Sequence, residues 1–81
     1  MWFLYVAECA DGTLYTGITT DVYRRIYKHN NTKRAARYTR SRRPVTLKAF
    51  SQCKDQSSAL KREIALKKMS RKQKLLEINT W

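Results

Sequence analysis

The 81-residue chain is short of acidic residues, glycine, proline and long apolar runs. Six Asp and Glu stand against eighteen Lys and Arg, a net charge of +12 and a pI near 10.2. Most cations therefore have no anion within the chain, which excludes a self-contained salt-bridge surface. Two glycines and one proline are too few, and 42% apolar residues too many, for a disordered tail. No apolar stretch approaches the roughly 18 residues that a spanning helix needs. The N-terminus lacks a basic n-region and a cleavage site, so neither a membrane span nor a secretory signal is expected. Cys9 and Cys53 form no CxxC pair and have no histidine partners at metal-ligand spacing. They read as free thiols in a reducing cytoplasm. The length predicts one domain over residues 1–81, with a thin core that buries only about 60% of the surface exposed by the unfolded chain.

The positive charge is concentrated. Between Asp21 and Asp55 no acidic residue occurs, while eleven Lys and Arg do: Arg24, Arg25, Lys28, Lys33, Arg34, Arg37, Arg40, Arg42, Arg43, Lys48 and Lys54. A second cluster holds Lys61, Arg62, Lys67, Lys68, Arg71, Lys72 and Lys74. A polyanion suits such a surface, because each neutralised phosphate releases a counterion. Tyr38 lies between Arg37 and Arg40, where an aromatic ring can stack on a base or a sugar. Nucleic acid is the expected partner; the charge does not separate DNA from RNA.

The local pattern predicts an α/β (α+β) domain in the order ββα-β-αα, with helices packed on a small three-stranded sheet. Trp2 to Cys9 is nearly continuously apolar and reads as a strand covered on both faces. Asp11-Gly12 signals a turn, and Thr13 to Thr19 reads as the returning strand. A helix is expected over Asp21 to Asn30, capped by Thr20 or Asp21. Residues 31–44 form a basic connection with a short helical turn inside. Val45 to Cys53 reads as the third strand. A helix opening at Ser57 or Ser58 runs to about Met69, and Ser70 to Gln73 has capping-box spacing for a last helix through Trp81.

Several residues can carry phosphate chemistry. On the first helix, Arg25 and His29 sit four apart beside the apolar stripe of Val22 and Ile26. A guanidinium forks onto phosphate oxygens, and an imidazole exchanges protons near neutral pH. His29 also fits a plain C-terminal helix position favoured by the dipole. On the second long helix, Ala59, Leu60, Ile64 and Leu66 form an arc expected to face the core, with Glu63 in its middle. A carboxylate there needs a partner. It is either an i,i+4 pair with Lys67 or a ligand for Mg²⁺ or a similar hard cation completed by water and substrate phosphate. In the hairpin, a two-residue turn would place Tyr5 and Tyr15 on opposite faces. An odd-length loop puts them on one face, with Tyr15 opposite Cys9, and leaves Gly17 bare for a phosphate to approach. A shared site requires the odd-length loop.

The segments Leu4-Tyr5-Val6 and Tyr15-Thr16-Gly17 resemble the two halves of the GIY-YIG nuclease motif. Thr19-Thr20-Asp21, Arg24-Arg25-Ile26 with His29-Asn30, and Glu63 resemble the family's pattern downstream of that motif. The similarity spans residues 3 to about 70. It is greatest to short stand-alone bacterial members, in which segments like Arg37 to Arg40, Arg42 to Pro44 and Ala59 to Glu63 recur. Leu4, Val6 and Thr16 depart from the motif's own Gly and Ile.

The resemblance implies a metal-dependent endonuclease that hydrolyses phosphodiester bonds of DNA, structure-specific or non-specific, as in DNA repair. By position, Tyr5, Tyr15, Arg25, His29 and Glu63 correspond to the catalytic residues, with one Mg²⁺ or Mn²⁺ ion on Glu63. A tyrosinate of either tyrosine would take the proton from water. Arg24, Lys28, Lys33, Arg34, Arg37, Tyr38, Arg40, Arg42, Arg43 and Lys67 are the expected nucleic-acid contacts. DNA is favoured over RNA, and a monomer is expected, with a protein partner supplying specificity. The alternative is a non-catalytic basic nucleic-acid-binding module, RNA-associated in one version.

Overall fold

The computed structural model describes residues 1–81. Strands β1 (Trp2–Glu8) and β2 (Leu14–Thr19) form a hairpin, followed by helix α1 (Val22–Asn31) and a four-residue helix α2 (Arg37–Arg40). Strand β3 (Thr46–Cys53) and helices α3 (Gln56–Lys67) and α4 (Arg71–Ile78) complete the chain. The sheet is antiparallel in the order β2-β1-β3. This is the α+β order expected from the sequence. No helix is long and apolar enough to cross a membrane.

The nearly unbroken apolar run of β1 follows from its central place. Leu4, Tyr5, Val6 and Ala7 are all buried, and alternation sends them to opposite faces. Leu4 and Val6 join Cys53, Ala59, Leu66 and Ile78 on the side of α3 and α4. Tyr5 and Ala7 join Cys9, Val22 and Val45 on the side of α1. Burying an aliphatic side chain of this size contributes about 1.5–3 kcal/mol, so β1 ties both thin layers together. Cys9 and Cys53 are buried free thiols belonging to different layers.

The hairpin turn is three residues long between Cys9 and Thr13. The Cys9 amide donates to the Thr13 carbonyl at 2.8 Å and the Gly12 amide to the Cys9 carbonyl at 2.9 Å. Gly12 takes φ +84°, the left-handed conformation that three-residue hairpins reserve for glycine. The Asp11 carboxylate accepts from the Thr13 amide and hydroxyl, closing the turn as Asp commonly does. With this odd loop Tyr5 pairs with Gly17 and Tyr15 with Ala7, so both tyrosines lie on the α1 face. The pairing of Tyr15 with Cys9 expected from the sequence is displaced by two residues, because Cys9 itself closes the turn.

Helix ends follow local chemistry. Asp21 caps α1 by accepting from the Arg24 amide. Asp55, rather than Ser57 or Ser58, caps α3 by accepting from the Ser58 amide. Ser70 and Gln73 make the expected reciprocal capping box of α4. Asn30 holds the end of α1 against the start of β3, its amide donating to the Val45 carbonyl at 2.9 Å and its carbonyl accepting from the Val45 amide at 2.7 Å.

Gly17 is bare because the Tyr5 ring lies over it. A β-carbon there would stand 2.7 Å from the Tyr5 hydroxyl oxygen and 2.8 Å from Cζ. The phosphate approach expected over Gly17 is therefore replaced by an approach of Tyr5. Gly17→Ala should lower the unfolding free energy by about 1–3 kcal/mol, the usual range for overpacking, measured by urea denaturation.

Candidate active site

Three rings meet on the α1 face of the sheet. Tyr5 and Tyr15 have centroids 6.3 Å apart, Tyr5 and His29 6.0 Å, and Tyr15 and His29 5.1 Å in an edge-on arrangement. β1 and β2 supply the tyrosines through the odd-length turn, and α1 supplies His29 from the last turn of its buried stripe. His29 is 0% exposed. Its Nε2 lies 2.7 Å from the Tyr5 hydroxyl and its Nδ1 2.7 Å from Thr39 Oγ1. It is thus a buried, doubly bonded group rather than a surface residue at a helix end. Tyr15 is half-buried and lines a shallow hollow with Leu14, Thr16, Tyr38, Lys67 and Lys74.

Arg25 and Glu63 approach this cluster from α1 and α3. Burial pushes the Tyr5 hydroxyl pKa up, and Tyr15 adds to the rise. The Arg25 guanidinium pulls it back, and the Glu63 carboxylate raises it further. All these partners are therefore within electrostatic reach of Tyr5. Burial pulls the His29 pKa down to about 4, with Arg25 and Arg43 adding to the fall. Arg25 Nη1 also donates to the Arg34 carbonyl at 3.1 Å, tying the basic connection to α1. Beyond it opens a wholly polar hollow lined by Thr19, Thr20, Asp21, Arg24, Arg25 and Lys28.

Glu63 is half-buried, with 16% of its side chain exposed, and forms an ion pair with Lys67 at 3.3 Å. It sits at the margin of the apolar stripe, not in its middle. Ala59 and Leu66 are buried, whereas Leu60 and Ile64 are 41% and 56% exposed. Ala59 and Leu66 face the core with Leu4, Val6, Cys53 and Ile78, which leaves Leu60 and Ile64 outward. No group of three or more His, Cys, Asp or Glu comes together as a metal cage. A lone half-buried carboxylate fits a hard cation that keeps most of its ligands as water and substrate oxygens.

The sequence profile described as the GIY-YIG catalytic domain matches residues 1–76. The chain belongs to the GIY-YIG family. This is a nuclease superfamily whose domain implies nucleic-acid binding and whose members generally depend on a divalent metal. A UPF0213 protein of Desulfotalea psychrophila is 59% identical over 69 residues, covering 85% of this chain and 63% of the relative. One from Halobacterium salinarum is 50% identical over 74 residues, 91% of this chain and 95% of the relative. The solution NMR structure of a UPF0213 protein from Bacillus halodurans is 40% identical with a TM-score of 0.62, covering 99% of this chain and 85% of that one. The chain therefore spans somewhat under two thirds of the first relative's length and nearly all of the second's.

Within this GIY-YIG domain the basic residues divide into two groups. Lys33, Arg34, Arg37 and Arg40 are exposed on the connection around α2, and Arg24 is exposed on α1. Arg43 instead donates to the carbonyls of His29 and Thr32 at the end of α1, so its charge serves the fold. Arg42 pairs with Asp11 at 3.1 Å, donates to the Tyr38 carbonyl and lies 4.0 Å over the Tyr38 ring. Tyr38 also stacks on Tyr15 at 6.0 Å. Its ring thus lies between Tyr15 and Arg42 and stays partly open to solvent. Thr39 and Lys74, absent from the sequence-derived set, are found beside it. Thr39 carried a signal only as part of the Arg37 to Arg40 segment, and Lys74 only as one cation of the second basic cluster.

The neutral His29 links stability to pH. Its folded pKa of about 4 lies below the ordinary 6.5, so its contribution is complete above pH 6.5 and is lost as pH falls towards 4. Asp11 and Asp55, lowered from 3.8 by bonds to Thr13 and Ser58, lose theirs only in stronger acid. The unfolding midpoint should fall between pH 6.5 and 4, and His29→Gln should flatten that limb; an unchanged limb would place the dependence elsewhere.

Proposed function

We propose that this chain is a divalent-cation-dependent endonuclease that hydrolyses phosphodiester bonds, with DNA as its substrate. The observation that carries this reading is the meeting of Tyr5, Tyr15 and His29 beside a cationic hollow, with the charges of Arg25 and Glu63 both acting on Tyr5.

The chain's own residues divide the work. The hollow of Arg24, Arg25 and Lys28 takes the phosphate backbone, and Arg25 offsets the charge that develops on the reacting phosphate. Tyr15, at the solvent-reachable side of the cluster, takes the proton from the attacking water. Tyr5 is unsuited to that role, since burial raises its pKa and its hydroxyl is engaged by His29. Tyr5 and His29 instead hold Tyr15 in place. Glu63 would hold one Mg²⁺ or Mn²⁺ ion, which when bound supplies Lewis-acid stabilisation of phosphate oxygens. Lys67 then gives up its pair with Glu63 or turns to the nucleic acid. The exposed cations around α2 extend the backbone contact, and a partner protein supplies specificity to a monomeric domain. Buried free thiols suit a reducing compartment, the cytoplasm.

Plasmid, single-stranded and branched DNA, with an RNA control, should be cut only with Mg²⁺ or Mn²⁺ present. Glu63→Ala and Tyr15→Phe should each slow cutting at least about 100-fold with binding within about threefold. Equal binding by wild type and Glu63→Ala with no cutting by either would leave a binding module. The logarithm of affinity should fall steeply against that of salt, about 0.9 per phosphate neutralised; a flat dependence would remove nucleic acid as the partner.

A further inference from the structure

The distances between Tyr5 and α2 favour one arrangement of the hydrogens. Thr39 is completely buried, and its Oγ1 lies 2.9 Å from the Ala36 carbonyl and 2.7 Å from His29 Nδ1. The Thr39 hydroxyl meets the Ala36 carbonyl in hydrogen-bonding geometry, so its single hydrogen is assigned to Ala36, which also accepts the Thr39 and Arg40 amides. With the hydrogen so assigned, the Thr39 oxygen presents a lone pair to His29, and Nδ1 carries the hydrogen. In a neutral ring this leaves Nε2 bare, and the Tyr5 hydroxyl, 2.7 Å away, must donate to it. Burial, together with Arg25 and Arg43, keeps the ring neutral at pH 7. Every hydrogen in the chain Tyr5, His29, Thr39, Ala36 thus points the same way, from the sheet towards α2. Tyr5 is left offering only lone pairs to the side where Arg25 and Tyr15 approach.

We propose that Thr39 is a positioning residue that fixes the Nδ1–H tautomer of His29 and thereby makes the Tyr5 oxygen an acceptor, not a donor, towards the reaction site. With the opposite tautomer His29 would donate to Tyr5, and the Tyr5 hydrogen would be free to point at the substrate. An acceptor at this point orients a donor, such as the attacking water or the Arg25 guanidinium; a donor there would compete with Arg25 for phosphate oxygens. The catalytic consequence rests on the endonuclease reading, but the tautomer does not.

The chain has one histidine, so its ring signals need no separation from others. Long-range ¹H–¹⁵N correlation at pH 7 should show Nδ1 protonated and Nε2 unprotonated in the wild type. Thr39→Val keeps the shape but removes the acceptor, and should move the ring towards the Nε2–H form; Thr39→Ser should restore the wild-type pattern. In the cleavage assay Thr39→Val should lower kcat about 10–100-fold, the usual effect of removing such an orienting partner, with KM within about threefold, and Thr39→Ser should recover the rate. A wild-type ring in the Nε2–H form would overturn the proposal, as would a Thr39→Val ring unchanged from wild type. Should Thr39→Val fail to fold, the wild-type and Thr39→Ser spectra decide the matter. The expected tautomer in a protein that cuts nothing would support Thr39's role and reject only the endonuclease reading.

Discussion

The parity of the β1–β2 turn is the constraint on which the site depends. A strand alternates its side chains with period two, so one residue more or less in the loop reverses the face of everything on the returning strand. Three residues between Cys9 and Thr13, made possible by Gly12 in the left-handed region, put Tyr5 and Tyr15 on the same face as α1. The Asp11 carboxylate locks this turn through Thr13, and Arg42 ties it to the connection carrying α2. Gly17 then leaves the space into which Tyr5 lies. Turn geometry, strand register and ring packing are one arrangement.

On that foundation the domain builds a polar interior in a small core. Tyr5, His29 and Thr39 are all nearly inaccessible to solvent, where an unpaired polar group is costly, and each finds its partner in the next. The chain runs from the central strand through α1 to a helix of only four residues, so α2 is held by what it bonds to more than by its length. Arg42 and Arg43 reinforce the same segment. Part of the unusual basic excess therefore serves to fold the connection, and the exposed remainder faces outward for a polyanion.

Much of the fold was legible because its signals are local. The apolar run of β1, the Asp11-Gly12 turn, the stripe of α1 and the Ser70–Gln73 box each depend on residues a few positions apart. The start of α3 was less legible, since Asp55 competes with Ser57 and Ser58 as a cap and only the backbone decides among them. The outward turn of Leu60 and Ile64 was not legible: periodicity locates an apolar arc, but the part of it that meets the core depends on where the sheet and Ile78 pack against α3. In the site, the meeting of Tyr5, Tyr15 and His29 could be anticipated from spacing and resemblance. The pairing of Arg42 with Asp11, of Arg43 with the end of α1 and of Tyr38 with Tyr15 could not, because those partners lie 11 to 31 residues away.

The amino-acid sequence by itself determined the element order and the strongly basic charge, since these follow from composition and short-range pattern. The tertiary structure alone decided the register that unites the tyrosines, which cations remain exposed, and the burial of His29 between Tyr5 and Thr39. Those outcomes depend on distances between groups far apart along the chain, and no local preference encodes a distance of 2.7 Å between Tyr5 and His29.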